Sequence, residues 1–143
     1  MMAKEKILIS ACSIGLNCKY DGGNNENKKL IEMMKEEDLI PVCPEQLGGL
    51  KTPRAGARRK ENKVITREGI DVTKEYKKGA EEVLKLAQKL NIKKAILKSK
   101  SPSCGVDEIY DQKFTASLVK RDGVTAELLR KNGIQVVSSD EYL

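Results

Sequence analysis

The residues of this chain that could do chemistry are four cysteines, in a sequence that has no histidine. Cys12 and Cys18 share one glycine-containing segment. Cys43 precedes a proline, and Cys104 lies in a Ser-Pro-Ser-Cys-Gly turn. Thiolates that are delivered to one place by separate segments are typical ligands of a metal ion or a cluster. The cysteines therefore predict a metal or iron–sulfur centre at an active site.

The spacing of the cysteines separates the kinds of centre that they could form. Structural zinc sites usually show two close cysteine pairs, and here only Cys12 and Cys18 are close in sequence. A dithiol redox site prefers C-x-x-C, which the chain lacks. An iron–sulfur cluster accepts thiolates from dispersed positions. The pattern favours a cluster, although any one of the cysteines would also fit a packed core.

Three of the cysteines directly end or follow a short apolar run that is typical of a β-strand. They are Cys12, Cys43 and Cys104. The strand ends of an open α/β sheet converge on one ligand-binding crevice. We therefore predict these three residues as cluster ligands, an arrangement that leaves one iron open. Cys18, deeper in the first loop, is the alternative ligand and would replace Cys12.

Apolar runs and helical periodicities alternate along the chain. We predict strands at 6–11, 39–43, 94–98 and 134–138, and helices at 28–37, 73–90 and 124–132. The alternation predicts a single domain over residues 1–143, with a three-layer, Rossmann-like α/β fold and a mostly parallel sheet. The cluster is expected at the C-terminal ends of the strands.

Local signals refine this outline. Pro41 predicts that the second strand lies at an edge or starts at this residue, because proline cannot donate to a central ladder. Thr73 is the predicted N-cap of the long helix, and Gly133 is the predicted glycine after the last one.

The segment between the second strand and the long helix lacks clear periodicity. Residues 44–62 carry proline, glycine and many charges, and we predict irregular structure for them. The runs 63–66 and 70–72 are predicted to pair as a small hairpin around Gly69.

The composition excludes some classes of protein. The 143-residue chain has no run of eighteen apolar residues, so no membrane span is predicted. The apolar run near its N-terminus is too short for a signal peptide. Reduced cysteines are typical of the cytoplasm, which is the predicted location. The net charge of +6 is compatible with an RNA or nucleotide partner and with an ordinary basic surface.

Four segments resemble the successive motifs of the thiouracil desulfidases, a family of small, mostly bacterial proteins. The segments are S-A-C-S-I-G-L-N-C-K-Y-D-G, C-P-E-Q-L-G-G-L-K-T-P-R, L-K-S-K-S-P-S-C-G and D-G-V-T-A-E-L-L-R-K-N-G-I. The resemblance implies a [4Fe-4S] cluster with three cysteine ligands, whose fourth iron is free to bind the sulfur of the substrate. It also implies a non-redox, hydrolytic cleavage of the C–S bond. Thiouracil, expected to be 4-thiouracil, and water give uracil and hydrosulfide.

The implied reaction assigns expected roles to particular residues. Glu45 follows a predicted ligand closely and is the expected general base for water, since the chain has no histidine. Ser101 is expected to hold this water or to relay its proton, and Ser103 is the second choice. Tyr20 and Asp21 are expected to contact the pyrimidine.

Two other functions are compatible with the sequence. A basic cluster would suit phosphate contacts if the substrate is a nucleotide or a thiolated tRNA. It comprises Arg54, Arg58, Arg59 and Lys60. A protein of another class would hold zinc in its cysteines as a non-enzymatic binding module. The expected partner is a small thiolated pyrimidine or thiolated tRNA, and the sequence does not determine the oligomeric state.

Overall fold

A computed structural model describes residues 5–111, 114 and 117–142. The strands are β1 (Lys6–Ser10), β2 (Asp38–Val42), β3 (Ala57–Lys60), β4 (Lys63–Thr66), β5 (Lys94–Leu97), β6 (Glu108–Tyr110), β7 (Leu118–Lys120) and β8 (Gln135–Ser138). The α-helices are α1 (Lys28–Met33), α2 (Pro44–Leu47), α3 (Thr73–Lys89) and α4 (Val124–Lys131), and short 3-10 helices span Ala11–Ile14 and Ser139–Tyr142. No helix within the described ranges is long and apolar enough to cross a membrane.

Four strands form the central sheet in the order β2-β1-β5-β8, and every neighbouring pair is parallel. Strands of a parallel sheet are buried on both faces, which is why they read as unbroken apolar runs. In β1, for example, Ile7, Leu8 and Ile9 are each at most 1% exposed. The predicted α/β class with a mostly parallel sheet is confirmed.

The sheet separates two apolar cores and so creates three layers. Leu8 of β1 packs in one core with Val83 of α3 and Leu129 of α4. Ile9, its neighbour along the strand, packs in the other core with Leu30 of α1. Alternate side chains of a strand point to opposite faces, so β1 contributes to both cores.

The local predictions have mixed outcomes. Pro41 lies in β2 at the edge of the sheet, and Gly133 follows α4 with a φ of 81°, so both are confirmed. Thr73 is not the N-cap of α3, because Val72 occupies that position and Thr73 is the first helical residue. The Thr73 hydroxyl instead accepts the backbone N–H of Val64 at 2.8 Å, which ties α3 to β4.

The segment between β2 and α3 is more regular than predicted. Residues 44–62 contain α2 and β3, so the prediction of irregular structure is wrong. α2 begins with Pro44, a favoured first helical residue, and β3 pairs with β4 in an antiparallel ribbon.

The predicted hairpin around Gly69 is confirmed, although 70–72 is too short to count as a strand. The Thr66 N–H donates to the Ile70 carbonyl at 2.8 Å, the Val72 N–H donates to the Val64 carbonyl at 2.9 Å, and Ile65 and Asp71 form an antiparallel bridge.

A second antiparallel ribbon, β6–β7, lies outside the central sheet and contacts the first ribbon through β3. No sequence pattern predicted it. β7 is exposed along its whole length, so it lacks the alternation of buried and exposed residues by which a strand is recognised. The two ribbons matter for function because some of their residues line a cavity that residues at the carboxyl ends of the sheet strands also line.

Candidate active site

Each cysteine-bearing segment begins where a strand of the central sheet ends. β1 leads into the 3-10 helix that carries Cys12, β2 leads directly to Cys43, and the loop after β5 carries Cys104. Because these strands are parallel neighbours, their carboxyl ends lie at one edge of the sheet. The structure therefore brings the predicted ligands together. All four cysteines, Cys18 included, line one cavity of about 470 Å³.

Cys18 forms hydrogen bonds with the thiols of both Cys12 and Cys43. These bonds outweigh burial and lower the pKa of Cys12 to about 6 and that of Cys43 to about 7. The same contacts raise the pKa of Cys18, so its thiol keeps its one hydrogen and can donate it to either neighbouring sulfur. Asn25 Nδ2 adds a bond to Cys12 Sγ at 3.5 Å. The thiolate forms of two predicted ligands are thus favoured relative to an ordinary cysteine.

Cys104 differs from the other thiols because it is part of the main apolar core, and burial raises its pKa to about 12. Its loop is fixed by Ser101, whose Oγ accepts the backbone N–H groups of Ser103 and Cys104, each at 3.1 Å. Ser101 also lines the cavity. Since its oxygen accepts in both bonds, its hydroxyl hydrogen is left to donate to a molecule in the cavity.

Helix α4 supports the Cys104 loop from the side away from the cavity. The N–H of Thr125 donates to the Ser103 carbonyl at 2.8 Å, and the two hydroxyls share a 2.9 Å hydrogen bond. Gly123 permits this contact, because a Cβ there would lie 2.4 Å from the Ser103 carbonyl oxygen. Ser103 is 1% exposed and is not one of the residues that line the cavity.

Glu45 lies in α2, two residues after Cys43, and it also lines the cavity. Arg54 Nε donates to Glu45 Oε2 at 2.6 Å, and Arg54 Nη2 pairs with the same oxygen. Burial is the largest single influence on Arg54 and lowers its pKa, but the charge and the hydrogen bond of Glu45, with smaller contributions from Cys43 and Tyr76, together raise the pKa above its ordinary value. Tyr76 of α3 hydrogen-bonds to Glu45 as well. Burial and the Glu45 carboxylate raise the pKa of Tyr76, so its hydroxyl remains a donor.

Comparison with known proteins identifies the family to which this chain belongs. The family model for 2-thiouracil desulfurase matches residues 7–141. The chain belongs to the 2-thiouracil desulfurase family. The solved structure of [4Fe-4S]-dependent thiouracil desulfidase TudS is similar, with a TM-score of 0.92 and 42% sequence identity, covering 96% of this chain and 93% of that one. YbbK, an uncharacterized protein of Bacillus subtilis (strain 168), is 37% identical over 145 residues, which cover 94% of this chain and 96% of YbbK.

The donor atoms of this desulfurase-family chain fit an iron–sulfur cluster. All four thiols line one cavity, and thiolate is the usual ligand of such clusters. Each thiolate of a [4Fe-4S] cluster binds a different iron, so the ligands need not converge on one point. Among the residues that the structure describes, no three Cys, Asp or Glu side chains are grouped to hold a single metal ion.

A second part of the cavity lining, here called the ribbon wall, comes from the two ribbons and the residues directly beside their strands, and it is basic and aromatic. The Arg58 guanidinium lies 4.5 Å from the centre of the Tyr110 ring and 5.1 Å from that of Phe114. Arg67 lies 5.0 Å from the Phe114 ring centre. All four residues line the cavity. Sequence reasoning missed three of them, Arg67, Tyr110 and Phe114, because they are scattered in segments that carry no motif.

The predicted basic cluster does not form one phosphate-binding surface. Arg54 pairs with Glu45, and Arg59 pairs with Glu127 of α4 at 2.7 Å in a side chain that is 5% exposed. The prediction is therefore wrong for Arg54 and Arg59, because carboxylate partners already occupy these largely buried side chains. Arg58 lines the cavity.

Only one of the two predicted pyrimidine contacts lines the cavity. Tyr20 lines the cavity, whereas Asp21 is not one of the residues that line it. Asp21 Oδ1 accepts the Gly23 N–H at 2.9 Å, a bond that stabilises the turn.

Proposed function

We propose that this protein removes the sulfur atom from thiouracil, with 4-thiouracil as the expected substrate. The reaction is hydrolytic and non-redox: water supplies the oxygen that replaces sulfur, and the products are uracil and hydrosulfide. The family and the similarity to TudS support this substrate class. The proposal depends most on one feature, the meeting of the cysteines with Glu45 and Ser101 around a single cavity.

Cys12, Cys43 and Cys104 would hold a [4Fe-4S] cluster, and Cys18 is the alternative ligand. When bound, the cluster supplies an iron that accepts the soft thiocarbonyl sulfur and withdraws charge from the carbon. The lowered pKa values of Cys12 and Cys43 support these two residues as ligands. The raised pKa of Cys18 supports a role as a protonated neighbour that donates its one hydrogen to one of them.

Glu45 accepts the proton of the attacking water. It is paired with Arg54 as a carboxylate, which is the form that takes up a proton, and it lines the same cavity as the cysteines. Ser101 orients the water or the substrate by donating its hydroxyl hydrogen, because its oxygen is already used by two backbone N–H groups. General-base assistance of this kind contributes roughly 10²–10⁴-fold to a rate.

Turnover of 4-thiouracil by anaerobically purified protein tests this proposal. The wild-type protein is expected to release uracil and sulfide in equal amounts. Glu45→Gln is expected to keep its iron and to lose roughly 10²–10⁴-fold in kcat. Glu82→Gln, on the exposed side of α3, is the matched control with wild-type activity. An iron-loaded wild-type protein that forms no uracil contradicts the function, whereas a fully active Glu45→Gln variant contradicts only the role of Glu45.

A second candidate substrate is a thiolated nucleotide or thiolated tRNA, which would undergo the same chemistry. It is favoured by Arg58 and Arg67 beside Tyr110, because cations suit phosphates and aromatic rings suit bases. The comparison to make is kcat/KM for free 4-thiouracil against thiolated tRNA at low and high salt. Salt-sensitive tRNA binding with a higher kcat/KM supports this candidate, and activity on the free base alone contradicts it.

A further inference from the structure

One guanidinium group, that of Arg54, links three segments of the active site. Its Nη2 pairs with Glu45 and also donates to the Cys18 carbonyl at 2.9 Å. Its Nη1 donates to Thr52 Oγ1 at 2.9 Å and to the Lys51 carbonyl at 3.3 Å. Its Nε donates to the Glu45 carboxylate. Every nitrogen of the group therefore has a partner within the protein, in a side chain that is only 9% exposed.

The backbone of Arg54 strengthens the same link. Its N–H donates to the Tyr20 carbonyl at 2.6 Å, so Arg54 binds the first cysteine segment at Tyr20 and at Cys18. Cys18 in turn hydrogen-bonds with the thiols of Cys12 and Cys43. A displacement of the guanidinium would therefore move the catalytic carboxylate and the Cys18 loop together.

We propose that Arg54 is a positioning residue for desulfuration, which acts through Glu45 and the Cys18 loop. This inference rests on the proposed function. The planar guanidinium can contact a carboxylate with two nitrogens and still reach a carbonyl, whereas a lysine ammonium is a point donor. Arg54 therefore sets the orientation of the Glu45 carboxylate as well as neutralising its charge.

Because protein groups already occupy every nitrogen of the guanidinium, direct contact with the substrate is not the main role of Arg54. A substrate that reached the guanidinium would have to displace Glu45, Cys18 or Thr52 from it. Loss of Arg54 is therefore expected to lower kcat, because the carboxylate moves, while KM changes little. A misplacement of about 1 Å in an active site costs about 10²-fold in rate.

Arg54→Lys tests the geometry separately from the charge. The variant keeps the positive charge but loses the planar guanidinium that contacts the carboxylate through two nitrogens. Its kcat is expected to fall about 10²-fold with unchanged iron content. Arg130→Lys is the matched control. Arg130, on α4, also pairs with carboxylates, those of Asp107 and Asp122, but none of the three residues lines the cavity. A wild-type kcat for Arg54→Lys would overturn the proposal. So would a loss of iron in step with kcat, since Arg54 would then support only the metal centre.

A double-mutant cycle shows whether Arg54 acts through Glu45. Arg54→Ala with Glu45→Gln is expected to be about as slow as Glu45→Gln alone, because both changes disable one carboxylate. Added guanidinium ion is expected to restore part of the activity of Arg54→Ala and none of the activity of Glu45→Gln. Independent, multiplicative losses of kcat in the double variant would overturn the proposal.

Thr52→Val is a milder variant, in case the arginine variants fail to fold. It leaves the guanidinium in place and removes one of its anchors, so kcat is expected to fall about threefold. An unchanged kcat in a folded Thr52→Val protein would overturn the proposal. These results are distinct from failure of the proposed function, which shows itself as an iron-loaded wild-type protein without desulfidase activity.

Discussion

The two walls of the cavity are built in different ways. The cysteine wall consists of the carboxyl ends of parallel strands. Three of its thiols are buried and that of Cys43 is half-buried, and Cys18 is hydrogen-bonded to Cys12 and Cys43. The ribbon wall consists of β3–β4 and β6–β7, which lie outside the central sheet and carry Arg58 and Tyr110. The difference indicates a division of labour. The edge of the sheet holds the reacting groups in fixed positions, and the ribbons offer cations and rings for recognition.

The largest effect is expected from substitutions of the cysteines in the cysteine wall. Cys43→Ser and Cys104→Ser are each expected to abolish iron binding and desulfidase activity, because each removes one of three proposed cluster ligands. The measurement is iron and acid-labile sulfide per chain. Arg67→Ala, on the ribbon wall, is expected to retain both. Loss of iron in Arg67→Ala would contradict the division between the walls.

The next effect concerns the packing that positions Glu45. Gly79 of α3 lies against α2, and a Cβ at this position would be 1.9 Å from the Pro44 carbonyl oxygen. Alanine normally stabilises a helix interior relative to glycine. Here Gly79→Ala is expected to lower stability by about 1–3 kcal/mol, because it forces α2 and the carboxylate away from α3.

Thermal unfolding and kcat, measured with and without this change, test the packing of α2 on α3. Lys78→Ala, on the exposed side of the same helix, is the control and is expected to match wild type. A Gly79→Ala variant that is more stable than wild type, as helix propensity alone predicts, would show that the close contact does not constrain α2.

A smaller effect is expected on the ribbon wall. Arg58→Ala and Arg67→Ala remove cations that line the cavity, and each is expected to raise KM about 10-fold and to leave kcat within about threefold. Steady-state kinetics with 4-thiouracil and with its nucleotide separate the two parameters. A fall in kcat with unchanged KM would mean that the ribbon wall takes part in the chemical step.

The smallest effect is a shift in the pH dependence of one thiol. The pKa of Cys43 is lowered to about 7, so in cluster-free protein its reactive thiolate accumulates as the pH rises through 7. Cys18→Ala removes the largest cause of that lowering. The midpoint of the Cys43 alkylation rate is therefore expected to move up towards the ordinary value near 9. Alkylation that follows the same pH curve in both proteins would contradict the thiol network.

The same division between the walls explains what the sequence could and could not predict. Cys12, Cys43 and Cys104 were predictable as neighbours, because each follows a recognisable strand and parallel strands end at one edge. Pro41 predicted the edge strand for an equally local reason, the missing N–H of proline.

The rest depends on partners that are distant in sequence or carry no pattern. Arg54 reads as part of a basic run, and only the fold shows that its side chain pairs with Glu45. Arg59 was misassigned for the same reason, since its partner Glu127 lies 68 residues away. β3 is a strand because β4 pairs with it, and its charged sequence does not encode that partner.

The most direct test of the account combines metal analysis with turnover on one anaerobic preparation. The account predicts about four irons and four acid-labile sulfides per chain, as expected for a cubane cluster, together with release of uracil and sulfide from 4-thiouracil. Stoichiometric zinc, or no metal after reconstitution with iron and sulfide, would contradict it. Such a result would leave the four cysteines of this cavity without the chemistry that their positions indicate.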